Sequence, residues 1–156
     1  MKKTLLSFLI FIALSISYVW GSGRQSASSK NSEGVLPMKL NILINNKDNL
    51  TASLFDNSSS RAFVELLKEK DLVITMNDFG NFEKVGSLPK ALPRNDTHIT
   101  TSAGDIILYQ GNQITIYYDK NSWSFTRLGK IDGLSQSDLK KILGTGSITA
   151  QFSLIK

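Results

Sequence analysis

The chain has 156 residues, with 18 Lys and Arg against 13 Asp and Glu, one His and no Cys. Without cysteine there is no disulfide framework, and His98 alone leaves too few ligands for a structural zinc site, so neither a metal nor another cofactor is expected. The basic excess is mild and no run of Lys and Arg forms a positive stripe, which argues against nucleic acid as a partner.

Lys2 and Lys3 precede an apolar run from Leu5 to Ile16 and then Gly21, Ser22 and Gly23. That is the charged, apolar and cleavable order of a secretory signal peptide, so residues 1–23 are expected to be removed, with Val19 and Gly21 in the small positions before the cut. The alternative is a retained anchor, because the run through Trp20 approaches the shortest length that crosses a bilayer and no Ala-x-Ala precedes the cut. A lipoprotein anchor would need a cysteine at the cut. Loss of Lys2 and Lys3 takes the basic residues from 18 to 16 against 13 acidic ones, a net charge near +3. The expected location is secreted, periplasmic or in the cell envelope, with no membrane association once the signal has gone.

From Arg24 to Gly34 the sequence RQSASSKNSEG is too polar to bury a core. Residues 24–36 are read as a flexible linker and 37–156 as one domain, long enough for a single core. Folded structure is expected from near Met38, where Leu40, Ile42 and Ile44 alternate with mostly polar neighbours. NNKDN turns the chain, and Leu50, Ala52 and Leu54 return as the second strand of a hairpin. Asn57 to Ser60 offer N-caps for a short amphipathic helix carrying Ala62, Phe63, Leu66 and Leu67 on one face.

Leu72, Val73, Ile74 and Met76 read as a strand running into the polar, aromatic, Gly-bearing NDFGNFEK. LPKALPRND, from Leu88 to Asp96, reads as an exposed loop. The β pattern is strongest after Gly104, in IILY, a turn at Gly111-Asn112, QITIYY, the polar DKNS and WSFTRLG, which together predict a three-stranded meander. Ser135 and Asp138 have capping-box spacing ahead of Leu139, Ile142 and Leu143, and Gly144 suits a C-cap. The alternating SITAQFSLI predicts a last strand that pairs back into the sheet and closes it.

MNDFGNFEKVG at Met76 to Gly86, AGDIILY at Ala103 to Tyr109, ITIYY at Ile114 to Tyr118 and FTRLGKID at Phe125 to Asp132, in this order and spacing, resemble the bacterial cyclophilin-like family over roughly Met38 to Leu154. The resemblance implies a mostly β fold, a closed barrel of about eight strands with two short helices. Activity does not follow from it, since members of the family are largely of unassigned function. True cyclophilins isomerise X-Pro bonds with an Arg in a Phe-His-Arg motif that leads into Gly-Phe-Met-x-Gln-Gly-Gly-Asp. This chain has no such motif, and Arg24, Arg61, Arg94 and Arg127 all stand elsewhere, so no catalytic residue is assigned.

Asp78 and Glu83 flank FGNF and are candidates for opposed carboxylates, though a solvated turn explains them as well. Gly104-Asp105 and the GTGS at Gly144 to Ser147 lack the strand, glycine and helix context of a phosphate loop and read as turns. No cysteine accompanies His98, and no serine stands in a nucleophile elbow. The candidate ligand-binding surface is Met76, Phe79, Glu83, Tyr109 and Tyr118, where a buried strand gives way to polar turns; Met76 and Tyr109 also suit a plain core position. The expected role is a non-catalytic module for a peptide or small-molecule ligand, the alternative a prolyl isomerase with an altered catalytic group. The sequence leaves the oligomeric state open.

The signal reading makes a direct prediction. Intact-mass measurement on protein from its native host should give a mature chain beginning between Ser17 and Arg24; an intact Met1 in the membrane fraction would establish the anchor instead.

Overall fold

In the computed structural model, which describes residues 34–155, the alternation of the first two strands sorts their side chains as expected. Leu40, Ile42 and Ile44 of β1 (Val35–Ile44) and Leu50, Ala52 and Leu54 of β2 (Asp48–Phe55) are closed to solvent. The expected signal segment and nearly all of the linker lie outside the described residues. β1 begins three residues before Met38, inside the stretch read as linker. Pro37 sits where the register shifts between Val35 and Lys39, a place where its missing N–H costs no ladder bond, and the Asp56 N–H bonds the Gly34 carbonyl at 2.6 Å.

Three hairpins use one device, a pair of consecutive left-handed residues. These are Asn45 and Asn46 (φ 50° and 53°), Gly80 and Asn81 (60° and 56°), and Gln110 and Gly111 (50° and 82°). Such turns match the twist of the flanking strands, and Asn and Gly are the residues that accept the conformation most readily. The third turn is centred on Gln110-Gly111, one residue before the position expected from the sequence.

α1 (Ser58–Glu69) starts where the Asn57 side chain accepts the Ser60 N–H at 2.9 Å, and it buries Phe63, Val64, Leu66 and Leu67. Phe63 meets Phe152 edge-on at 6.0 Å. α2 (Gln136–Leu143) is capped by Ser135 and ends at Gly144 (φ 58°), as the sequence predicts.

The remaining strands are β3 (Leu72–Phe79), β4 (Glu83–Ser87), β5 (Thr97–Thr100), β6 (Asp105–Tyr109), β7 (Gln113–Tyr117), β8 (Ser122–Ile131) and β9 (Ile148–Leu154). They pair in the order β2-β1-β9-β3-β4-β7-β6-β8, every pair antiparallel. β8 then meets β2 through Ala52↔Ile131, Ser53↔Lys130 and Leu54↔Gly129, which closes an eight-stranded barrel. β5 stands outside the ring and pairs with the first half of β8. THIT has one apolar residue, too little pattern to announce a strand.

The meander expected after Gly104 is corrected by this order, because β6 lies between β7 and β8. The other edge of β7 is taken by β4, from Glu83↔Tyr117 to Ser87↔Gln113, so β8 joins the far edge of β6. The intervening turn is held elsewhere, with the Tyr118 and Asp119 N–H groups on the Phe82 carbonyl and the Thr101 N–H on the Asn121 carbonyl.

At the closing seam a Cβ on Gly129 would stand 2.4 Å from the Ser53 carbonyl oxygen and 3.3 Å from Leu54 Cα. Backbone cannot yield there as a flexible side chain can. Gly129→Ala should therefore destabilise the domain by about 1–3 kcal/mol, the usual cost of overpacking. Urea denaturation measures it, and an unchanged midpoint would mean that the seam is not tight.

Candidate functional site

Strand register determines which residues share the outer face of the barrel. Across β3, β4, β7 and β6 one outward row is Thr75, Ser87, Gln113 and Tyr109, and the next is Asn77, Val85, Thr115 and Ile107. A third brings Phe79 opposite Glu83 and Glu83 opposite Tyr117. This face is hollow. A cavity of about 430 Å³ is lined by all three rows, and an adjoining one of about 190 Å³ runs toward Trp123 and Phe125; the two share Phe79, Glu83 and Tyr109.

The aromatic side of the cleft is a second small core outside the barrel. Ile107, Tyr117 and Phe125 are buried in it, with Phe82, Ile99 and Tyr109 packed against them. Phe82 stacks on Tyr117 at 6.1 Å and 12°, Tyr117 tilts against Phe125 at 5.6 Å, and Tyr109 meets Phe125 edge-on at 6.1 Å. Phe79 and Trp123 stand at the rim, 62% and 60% exposed. β5 supplies Ile99 opposite Trp123, so the short outer ribbon of β5 and β8 raises one wall.

Glu83 forms the polar floor and is only 7% exposed. Burial pushes its carboxyl above the ordinary Glu range, although the nearby hydroxyls of Tyr117 and Thr115 pull the other way. The same burial, with Glu83 adjacent, pushes the Tyr117 phenol up. Neither Glu83 Oε2 nor Thr115 Oγ1 completes a hydrogen bond of normal length and angle, although both are shut off from solvent. No Lys, Arg or His lines either half of the cleft among the described residues.

Of the five residues expected to form the surface, Phe79, Glu83 and Tyr109 converge on this cleft. Met76 does not. It is 0% exposed, in phase with Leu72 and Ile74 on the inner face of β3, so the expectation of an exposed methionine is corrected. Tyr118 follows Ile114 and Ile116 inward and faces a different hollow, of about 400 Å³, beside Lys140 and Gly144. Its hydroxyl donates to Asp78 Oδ2 at 2.6 Å.

Asp78 and Glu83 do not form opposed carboxylates, because they lie on opposite faces of the β3–β4 hairpin. Lys84, 0% exposed, donates to Asp78 Oδ2 at 2.6 Å and to the carbonyls of Gly144 and Gly146 at 3.1 and 2.7 Å. Burial would raise the Asp78 carboxyl, but Lys84 and Tyr118 more than offset it and hold it below the ordinary range. Thr75, Asn77, Gln113 and Thr115 line the cleft and were missed from the sequence. Counting in twos back from Phe79 along β3 is the signal that reaches the first two, but only strand pairing adds the two on β7.

His98 is exposed on β5. Asp105 accepts from the Ser102 N–H and from Lys130, both at 2.8 Å, as turn chemistry requires. No group of three His, Cys, Asp or Glu side chains fit to hold a metal occurs among the described residues, and no helix there is long and apolar enough to cross a membrane.

Comparison with protein families gives one match, in which the model described as the cyclophilin-like family covers residues 42–153. No curated protein matches the chain.

Glu83 yields a pH prediction whose sign follows from its raised value. The protonated acid is favoured in the folded state, so its contribution to stability is fully present below the unfolded pKa and is lost as pH rises through the folded one. A carboxyl-carbon NMR titration should place Glu83 above the ordinary value of about 4.3. Relative to wild type, Glu83→Gln should gain in urea midpoint as pH rises across that window. A midpoint at or below the ordinary value would remove the assignment of a desolvated acid.

Proposed function

Because the chain belongs to the cyclophilin-like family, we propose that it is an exported barrel that binds a peptide or small-molecule ligand in the outer cleft and performs no reaction on it. The observation that carries this reading is the cleft itself, a hollow with an aromatic wall and a buried carboxyl that no described cation in the lining neutralises. Concave apolar ground with a few convergent polar groups is the usual form of a ligand site. Aromatic side chains at its rim offer large contact area for little lost side-chain freedom, because they turn about only two angles.

Export is supported by the order of Lys2, Lys3, the apolar run and Gly21 to Gly23. A nucleic-acid ligand is disfavoured by the absence of basic side chains from the described lining, since phosphate contacts dominate such binding. The rival reading, prolyl isomerisation, needs a donor such as an arginine aimed at the prolyl nitrogen. Arg127, the arginine on a barrel strand, pairs with Ile107 in the β6–β8 ladder and is not among the residues lining the cleft.

An NMR screen of the full chain against small-molecule fragments and short peptides should move the backbone signals of Val85 and Thr115 and the Trp123 indole, and leave those of the barrel interior in place. Phe79→Ala and Tyr109→Ala should each weaken such binding several-fold, in keeping with about 0.5–1.5 kcal/mol for an aromatic contact. A protease-coupled assay on a proline tetrapeptide should show no acceleration. Turnover at the level of ordinary cyclophilins would overturn the non-catalytic reading.

A further inference from the structure

The charge of the cleft runs against that of the chain. The sequence carries 18 basic residues to 13 acidic ones, yet Glu83 lines both halves of the hollow, Asp78 lines the larger one, and no described basic side chain lines either. Asp78 is already committed to Lys84 and Tyr118. What remains without a cationic partner is Glu83, more than nine-tenths buried, with only the Tyr117 and Thr115 hydroxyls beside it and with an Oε2 that completes no hydrogen bond of normal geometry.

A buried acceptor without a donor costs free energy that a bound donor would recover. A carboxylate or phosphate ligand would bring more acceptors to a site that needs donors. A bare metal ion would find one free carboxylate where it needs several ligands. An organic ammonium offers up to three donors on one centre, and the aromatic wall adds attraction for its charge and burial for its carbon stem.

We propose that the cleft selects an organic cation, a primary amine on an apolar stem, whose ammonium pairs with the Glu83 carboxyl while the stem lies against Phe79, Tyr109 and Trp123. The proposal rests on the reading of the cleft as a ligand site and gives that site its ligand class. Binding holds Glu83 ionised, so complex formation releases a proton from the protonated fraction, and affinity rises with pH through the Glu83 titration. The other titratable groups around Glu83 are Tyr117 on β7, Tyr109 on β6, Asp78 on β3 and Tyr118 beyond β7. Burial holds the Tyr117 and Tyr118 phenols protonated well above that range, and Lys84 and Tyr118 hold Asp78 ionised below it.

The test uses three probes with one ring and different heads: 2-phenylethylammonium, 2-phenylethanol and 3-phenylpropionate. Each is titrated into the full chain with the Trp123 indole and the Thr115 amide as NMR reporters. The expected result is ammonium over alcohol by about tenfold or more, as for a charge-assisted hydrogen bond, and no saturable binding of the propionate. Glu83→Gln should bring ammonium and alcohol to parity. Calorimetry on the wild type, at the pH where NMR finds Glu83 half-titrated and in two buffers of different ionisation heat, should report proton release and needs no variant to fold. If the alcohol binds as tightly as the ammonium and no proton is released, the cation proposal falls while the ligand cleft stands. If none of the three moves the reporters, both fall.

Discussion

The buried ammonium of Lys84 fixes the part of the molecule on which the cleft depends. Three acceptors surround it, the Asp78 carboxylate and the carbonyls of Gly144 and Gly146, so β4 is tied at once to β3 and to the loop that follows α2. An unpaired charge at that depth would be strongly destabilising, which leaves the strand one workable register. Since neighbouring side chains of a strand point to opposite faces, Lys84 inward means Glu83 outward. A slip by one residue would place the carboxyl in the barrel and the ammonium in the cleft, exchanging the sign of both environments.

Closure of the ring gives that register its consequence. β4 lies beside β7, β7 beside β6 and β6 beside β8, so the outer face gathers side chains from segments far apart in sequence. Tyr109 and Phe125 pack edge to face although sixteen positions separate them, and Phe82 stacks on Tyr117 across thirty-five. The ribbon of β5 and the first half of β8 then rises past the barrel and carries Ile99 and Trp123 to one side of the hollow. An outward sheet face, ordinarily flat and wet, thereby acquires a floor and a wall.

Much of this was legible in the chain itself. The alternation of Leu40, Ile42 and Ile44, the Asn57 and Ser135 caps and the clean SITAQFSLI pattern each encode a local preference that the barrel leaves in place. The same alternation already assigns Met76 inward with Leu72 and Ile74, and Tyr118 inward with Ile114 and Ile116. Their inclusion in the surface followed from their place at strand ends, where polar turns begin, and ran against strand phase. Phe79, out of phase with that inner set, belongs to the outer face by the same rule. The position of β6 between β7 and β8 was not legible, because hairpin turns describe neighbours in sequence and the competing claim of β4 on the β7 edge is a long-range one. β5 was hidden because a strand clamped onto β8 by backbone pairing needs little apolar pattern of its own.

The two carboxylates of the β3–β4 hairpin show how one short sequence makes two electrostatic settings. Asp78 is only partly buried, and Lys84 and Tyr118 supply donors that keep it ionised, so its charge is a settled part of the framework. Glu83 is more deeply enclosed, its neighbours are hydroxyls and rings, and no described cation lines its hollow, so its charge is disfavoured until something compensates it. The difference follows from strand phase, since five positions of chain separate them and the hairpin turn puts them on opposite faces. A carboxyl retained where hydrophobic packing alone would be cheaper is hard to explain by stability, because the domain gains nothing from the desolvation it causes. Its environment gains a rationale once the free energy lost on folding is returned on binding, which is the sense in which the cleft and the barrel that builds it are one structure.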